Sequence, residues 1–258
     1  RRGQLGWVFG ASAGHPIGSV GALFVRAWNA GLAPWRHGTV VVDFDSTVAR
    51  VFSSAKEGAA YGYTKELGYH PLVATIADTG EIVACGNRDA MSCASASCVL
   101  IHCVSSRPML SIVVGRLRRA GHLGPIEIRA DSGFWSEKLI DRCVHLNVGY
   151  SVTVKRTSRM WDLINTIGED RWEPIVYPAG VAQVAQIFDD KWGRIICRRV
   201  RNTRDGALFD TWEHHAFITS NGLPTVEAVA YHRAHAIVEL NIRDLKAGGL
   251  AHIPSADR

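Results

Sequence analysis

Cysteine is scarce in this chain, and what there is forms no binding pattern. The six residues Cys85, Cys93, Cys98, Cys103, Cys143 and Cys197 include no C-x-x-C pair. Cys93, Cys98 and Cys103 recur every five residues, which suits neither a zinc knuckle nor one helix face. They read as small buried hydrophobes in a reducing compartment. No apolar run is long enough to span a bilayer and no secretory signal is recognisable, so no membrane partner is expected and the cytoplasm is the default location. Repeats, low-complexity tracts and coiled-coil heptads are also missing. Charged residues are only 21% of 258, and no segment is polar enough to resist folding. Acidic residues are the minority, 24 against 29 lysines and arginines. The resulting net charge of +5 favours a polyanionic partner without establishing one. What is abundant is apolar: 47% of residues are hydrophobic, enough for a substantial core. The chain opens on Arg1-Arg2-Gly3 rather than Met, and reads as a fragment of a longer protein.

Periodicity divides the chain into four stretches. Residues 1–36 read as an N-terminal linker with a helix around Val20–Ala30. Residues 37–168 carry strands at Thr39–Phe44, His70–Ala77, Ile82–Cys85, Ile126–Ala130 and Tyr150–Lys155, with Val48–Ser53 continuing the sheet after a break. Helices are expected over Ala94–Ala120, broken or kinked at Pro108, over Phe134–Leu146 and over Arg159–Ile167. Residues 169–222 form a small β-rich section with strand-like runs at Val184–Phe188, Arg194–Val200 and His215–Thr219. Residues 223–258 hold a long helix from Pro224 to Lys246, entered through proline and closed by Gly248-Gly249. This order argues an α/β protein, a mixed sheet flanked by helices.

The acidic residues that carry chemistry sit at strand ends. Asp43 and Asp45 lie two apart on a strand and so share one face. Asp131 follows another apolar strand. Parallel neighbours would bring these carboxylates to the carboxyl edge of the sheet, where α/β proteins place their chemistry. On the late helix, His232, His235, Glu239, Arg243 and Lys246 fall on one face. Converging carboxylates of this kind can hold two magnesium ions about 4 Å apart. Each residue also has a plainer reading: Asp131 as the cap of the helix near Phe134, Glu239 as the i,i+4 partner of Arg243, and the helix face as a solvated one.

Four blocks together resemble a known family: VVDFDST (Val41–Thr47), KEGAAYGYTKELGYHPL (Lys56–Leu72), IRADSGF (Ile128–Phe134) and VELNIRDLKAGGL (Val238–Leu250). Their order and spacing, spanning roughly Thr39 to Pro254, look like the DDE transposases of bacterial insertion sequences, in the group with a β-rich insertion before the catalytic Glu. The resemblance implies an RNase H-like fold with the core over 37–168 and 223–258, interrupted by the insertion at 169–222. It implies Asp45, Asp131 and Glu239 as catalytic, metal-binding residues, with Asp43 competing for the first position, and two Mg²⁺ or Mn²⁺ ions as cofactors. Transposon-end and target DNA are the implied partners, with two protomers joined in a synaptic complex near the bacterial nucleoid. The family's Tyr–Arg–Glu–Lys helix signature is kept at Glu239 and Lys246, while His235 stands at the Arg position and His232 at the Tyr position. Lys246, His235, Arg243 and Arg233 are the expected DNA contacts, with Lys56, Lys65 and Arg129 behind them. Family members are longer, so an abbreviated remnant is a standing alternative.

Two rivals fit parts of the sequence. A haloacid-dehalogenase-like phosphatase also begins with a strand ending in D-x-D-x-T. It would use Asp43 as nucleophile, Asp45 as general acid and a later acidic pair such as Asp189-Asp190. A non-catalytic DNA-binding remnant would stack bases on Trp135, Trp161, Trp192 or Trp212.

Overall fold

The computed structural model describes residues 37–52, 59–61, 65–87, 106–178, 180–202, 211–245 and 247. The expected helix at Val20–Ala30, the cysteines at 93, 98 and 103, and the lysines at 56 and 246 lie outside the described residues. A single large sheet organises the rest. β1 (Val40–Ser46) pairs antiparallel with β5 (Pro71–Ile76), which pairs antiparallel with β6 (Ile82–Asn87). On its other side β1 runs parallel to β7 (Ile126–Ala130), and β7 parallel to β8 (Gly149–Thr153). Strands β9 (Glu173–Ile175), β10 (Ala182–Asp189), β11 (Gly193–Asn202) and β12 (Thr211–Thr219) follow in sequence. They join at the β8 edge, giving the order β6-β5-β1-β7-β8-β12-β11-β10-β9. Short strands β2 (Ala49–Arg50), β3 (Ala60–Tyr61) and β4 (Leu67–Tyr69) make a separate three-stranded sheet. The run after Val48 therefore leaves the main sheet instead of continuing it.

Alternation along β1 sorts the two faces. Val40, Val42 and Phe44 are buried in the main core with Met109, Leu110, Val113 and Leu117 of α1 (Ser106–Arg119) and Leu139 and Cys143 of α2 (Glu137–His145). Burying each such side chain contributes about 1.5–3 kcal/mol. Met160 and Ile164 of α3 (Ser158–Asn165) join the same cluster. Pro108 sits in the first turn of α1, where its missing N–H costs nothing; the part of the expected helix before Ser106 lies outside the described residues. Helices α2 and α3 start on Ser136 and Thr157, whose hydroxyls accept from the Leu139 and Met160 amides.

The opposite face carries Asp43 and Asp45 and is covered by the segment after the sheet. The single helix expected over Pro224–Lys246 is divided: α4 (Thr225–Arg233), a 3-10 turn (Ala234–Ile237) and α5 (Val238–Leu245). Ala228 and Val229 of α4 pack on Val184, Ile196 and Phe217, and α5 lies over β1 and β5. Gly80, with φ +72°, lets the β5–β6 turn meet α5: a Cβ there would sit 2.9 Å from the Asn241 side-chain oxygen. The whole is an α/β, RNase H-like mixed sheet flanked by helices, the class expected. No helix among the described residues is long and apolar enough to cross a membrane.

Candidate active site

Asp45 is the last residue but one of β1 and Asp131 follows β7, the parallel neighbour of β1, so both stand at the carboxyl edge of adjacent strands. Asp131 accepts the Gly133 amide at 2.9 Å. This holds the turn after β7 but does not cap α2, whose cap is Ser136. Asp45 accepts the Ser46 amide at 2.6 Å. Glu239 is in the first turn of α5. Burial raises the pKa of Asp45; the Ser46 amide and His235 lower it, and the negative charges of Asp131 and Glu239 raise it again. Three carboxylates distant in sequence thus share one electrostatic neighbourhood. No ion pair among the described residues engages any of them, and Arg243 lies beside Asp244 instead of Glu239.

Behind Asp45, on the same face, Asp43 is fully committed. It is 1% exposed and receives Arg129 Nε at 2.7 Å and Nη2 at 2.8 Å, one bond to each carboxylate oxygen. His235 Nδ1 is 3.0 Å from Oδ1. The third arm of the guanidinium, Nη1, donates to the Tyr231 carbonyl at 2.8 Å, and the group lies over the Tyr231 ring. Burial opposes the charge of Arg129, but hydrogen bonding and attraction to Asp43 raise its pKa overall. One buried cation therefore ties β1, β7 and the end of α4 together, just ahead of Glu239.

A family model described as transposase DDE domain group 1 matches residues 25–245. The chain belongs to this family. Among solved structures, this DDE domain resembles a piggyBac transposase, seen by cryo-electron microscopy in a synaptic complex with hairpin DNA. The TM-score is 0.53 at 11% identity, over 80% of this chain and 40% of that one. At that identity the likeness is one of fold, and the chain spans less than half the length of its structural neighbour. No curated protein matches the chain.

Several expected roles change in the folded DDE domain. Asp43, 1% exposed and held by Arg129 on both oxygens, is poorly placed to meet a metal or a substrate. The phosphatase reading fails on the same ground, since its nucleophile is sealed. Asp189 ends β10, separated from β1 by β7, β8, β12 and β11, and there it accepts the Lys191 and Trp192 amides of a hairpin turn. Arg129, expected as a DNA contact, is buried. His235 faces Asp43 with its side chain 14% exposed, so its first partner is a carboxylate inside the protein. His232 is sewn into the sheet: its nitrogens lie 2.9 Å from Ser151 Oγ and 2.8 Å from Thr153 Oγ1, and its ring stacks on Phe217 at 4.1 Å. Burial, with the charges of His235, Arg129 and Arg198, lowers its pKa to about 3, so it is neutral. Arg233 and Arg243 are exposed.

The tryptophans are mostly occupied. Trp135 and Trp192 meet edge to face at 5.5 Å, Trp161 packs on His214, and Trp212 lies under Arg199 and Arg201. Sequence reasoning missed the Asp43–Arg129 pair and Arg198. The signal for the first was present: Arg129 and Asp43 each occupy the middle of an apolar strand, where a charge needs a partner.

A divalent cation is the cofactor that a DDE domain implies. Among the described residues, no three His, Cys, Asp or Glu side chains are already close enough together to hold an ion. The donor chemistry nevertheless suits one: hard carboxylate oxygens, with Asp131 and Glu239 acting unfavourably on the charge of Asp45 and no ion pair to any of them among the described residues.

Proposed function

We propose that this chain is the catalytic domain of an insertion-sequence transposase that cuts DNA strands and transfers them, with Asp45, Asp131 and Glu239 holding two Mg²⁺ or Mn²⁺ ions. The observation that carries the reading is that Asp45 and Asp131 stand at the carboxyl edge of the parallel neighbours β1 and β7, with the charges of Asp131 and Glu239 both acting on Asp45. When bound, such cations make a water or 3′-hydroxyl nucleophilic near neutral pH and stabilise the leaving oxygen. The protein's own part is positional. The Ser46 and Gly133 amides fix one oxygen each of Asp45 and Asp131, leaving the other oxygen of each without a bond to those amides. Arg129 and Asp43 hold the end of α4, and with it the start of α5, against β1. Glu239 is thereby kept within reach of Asp45. No general base is required of the side chains. The partner is DNA, at transposon ends and target, and two protomers form the synaptic complex.

The test is a nicking assay on end-bearing duplex with Mg²⁺. Glu239→Ala abolishes strand cleavage and leaves salt-sensitive DNA binding nearly intact, and Asp131→Ala does the same. Equal loss of cleavage and binding in Glu239→Ala would contradict this division of roles. Binding without any cleavage by the unmodified chain would favour the non-catalytic remnant.

A further inference from the structure

The same face that carries the carboxylates holds two arginines that form no ion pair with a described residue. Arg198 lies on β11 opposite Val184 and His215, and so shares the face covered by α4. Arg233 is the last residue of α4. Both guanidinium groups sit over one ring, that of Tyr177: Arg198 Cζ is 5.1 Å and Arg233 Cζ 4.9 Å from its centroid. Neither makes an ion pair with a described residue. Arg199, by contrast, lies between Trp172 and Trp212 and is bound by Glu169 through both oxygens. Arg198 Nε is buried with no hydrogen-bond partner. Burial lowers the pKa of Arg198 and the charge of Arg233 lowers it further, while Tyr177, Cys197 and Glu213 act the other way. Two like charges brought together on a π-face, with a buried N–H unspent, form an arrangement that an anion completes.

We infer that Arg198, Arg233 and Tyr177 form a binding site for backbone phosphate of a DNA strand leaving the catalytic carboxylates toward β10. The inference rests on the proposed DNA-cutting function and extends it by assigning where the strand runs. Arg233 directly precedes the 3-10 turn that carries His235, and α5 with Glu239 follows, so site and carboxylates share one continuous segment. The guanidinium fork suits phosphate oxygens, and stacking on Tyr177 orients it before DNA arrives. The contact is to backbone, so it adds affinity without sequence preference.

The experiment measures duplex binding by fluorescence anisotropy over a series of chloride concentrations, with Mg²⁺-dependent nicking followed in parallel. Arg233→Gln is the primary variant, because the residue is exposed and its loss leaves the core intact. Arg198→Lys, which keeps the charge but loses the fork, and the double change Arg198→Lys/Arg233→Gln accompany it. The expected result is a fall of about 1 in the slope of log affinity against log salt for Arg233→Gln, equal across unrelated sequences. Arg198→Lys is expected to keep the slope and lose affinity. An unchanged slope and affinity in the double variant, with nicking retained, overturns the phosphate site and leaves the proposed function standing. A slope that falls as expected in a chain that never nicks DNA supports the site and sinks the enzyme.

Discussion

Arg129→Met should be among the most damaging single substitutions in this fold. The change keeps a long apolar stem in place and removes only the cation. Asp43, 1% exposed, then keeps His235 but loses both bonds from its bidentate partner. The Tyr231 carbonyl loses its donor as well. Breaking a buried pair by deleting one member costs about 3–5 kcal/mol, and the orphaned carbonyl pushes the value toward the upper end. In a domain of this size that is a fall in Tm of roughly 6–20 °C. Urea denaturation followed by tryptophan fluorescence reads it directly. The companion measurement is a double-mutant cycle with Asp43→Leu. Each single change strands the other charge, so Asp43→Leu/Arg129→Met should cost clearly less than the two singles together, with a coupling energy of up to about 3 kcal/mol. A cost below about 1 kcal/mol for Arg129→Met, the range of a surface pair, would refute the reasoning, as would strict additivity.

Two further outcomes follow from the titrating groups. Asp45 has a folded pKa above its ordinary 3.8, so folding favours its protonated form. That advantage is complete below pH 3.8 and is lost as pH rises through the folded value. Asp45→Asn should therefore melt higher than the parent at pH 7 and show no such gain near pH 3, while Mg²⁺ raises the Tm of the parent alone; a lower Tm for the variant at pH 7 would contradict this. His232, ordinarily 6.5 and lowered to about 3, contributes stability that is present above pH 6.5 and drains away as pH falls toward 3. His232→Gln, which can still hydrogen-bond Ser151 or Thr153, should flatten the stability profile over that window in urea titrations at pH 4.5 and 7; an unchanged slope would count against a neutral buried imidazole.

Much of the sheet was legible because its strands are written in β-branched, apolar runs. TVVVDF and IEIRA announced β1 and β7, and the acidic residues at their ends announced the carboxyl edge. The Asp-Thr-Gly-Glu turn announced the β5–β6 hairpin. The sequence could not say that β9–β12 hydrogen-bond in series onto β8, since alternation reports which face is buried but not which edge is paired. It also hid the 3-10 turn between α4 and α5. His232 and His235 keep helical spacing, and only their separate anchors, on β8 and on Asp43, show that the segment is divided. Asp43 and Asp45 looked interchangeable because they share a face. What separates them is an arginine 86 positions away, and no local pattern records a partner at that range. Residue 246 remains an expectation from the resemblance alone.

The contact between the Gly80 turn and Asn241, together with the link from Asp43 to His235 across 192 positions, has a bearing on timing. Local contacts close early and distant ones late. A growing polypeptide would complete β1, β5, β6 and β7 well before the segment bearing Glu239 emerges to settle over them. Until then the two aspartates would stand without Glu239, and on the proposed function a half-made molecule would lack its full set of metal-holding carboxylates.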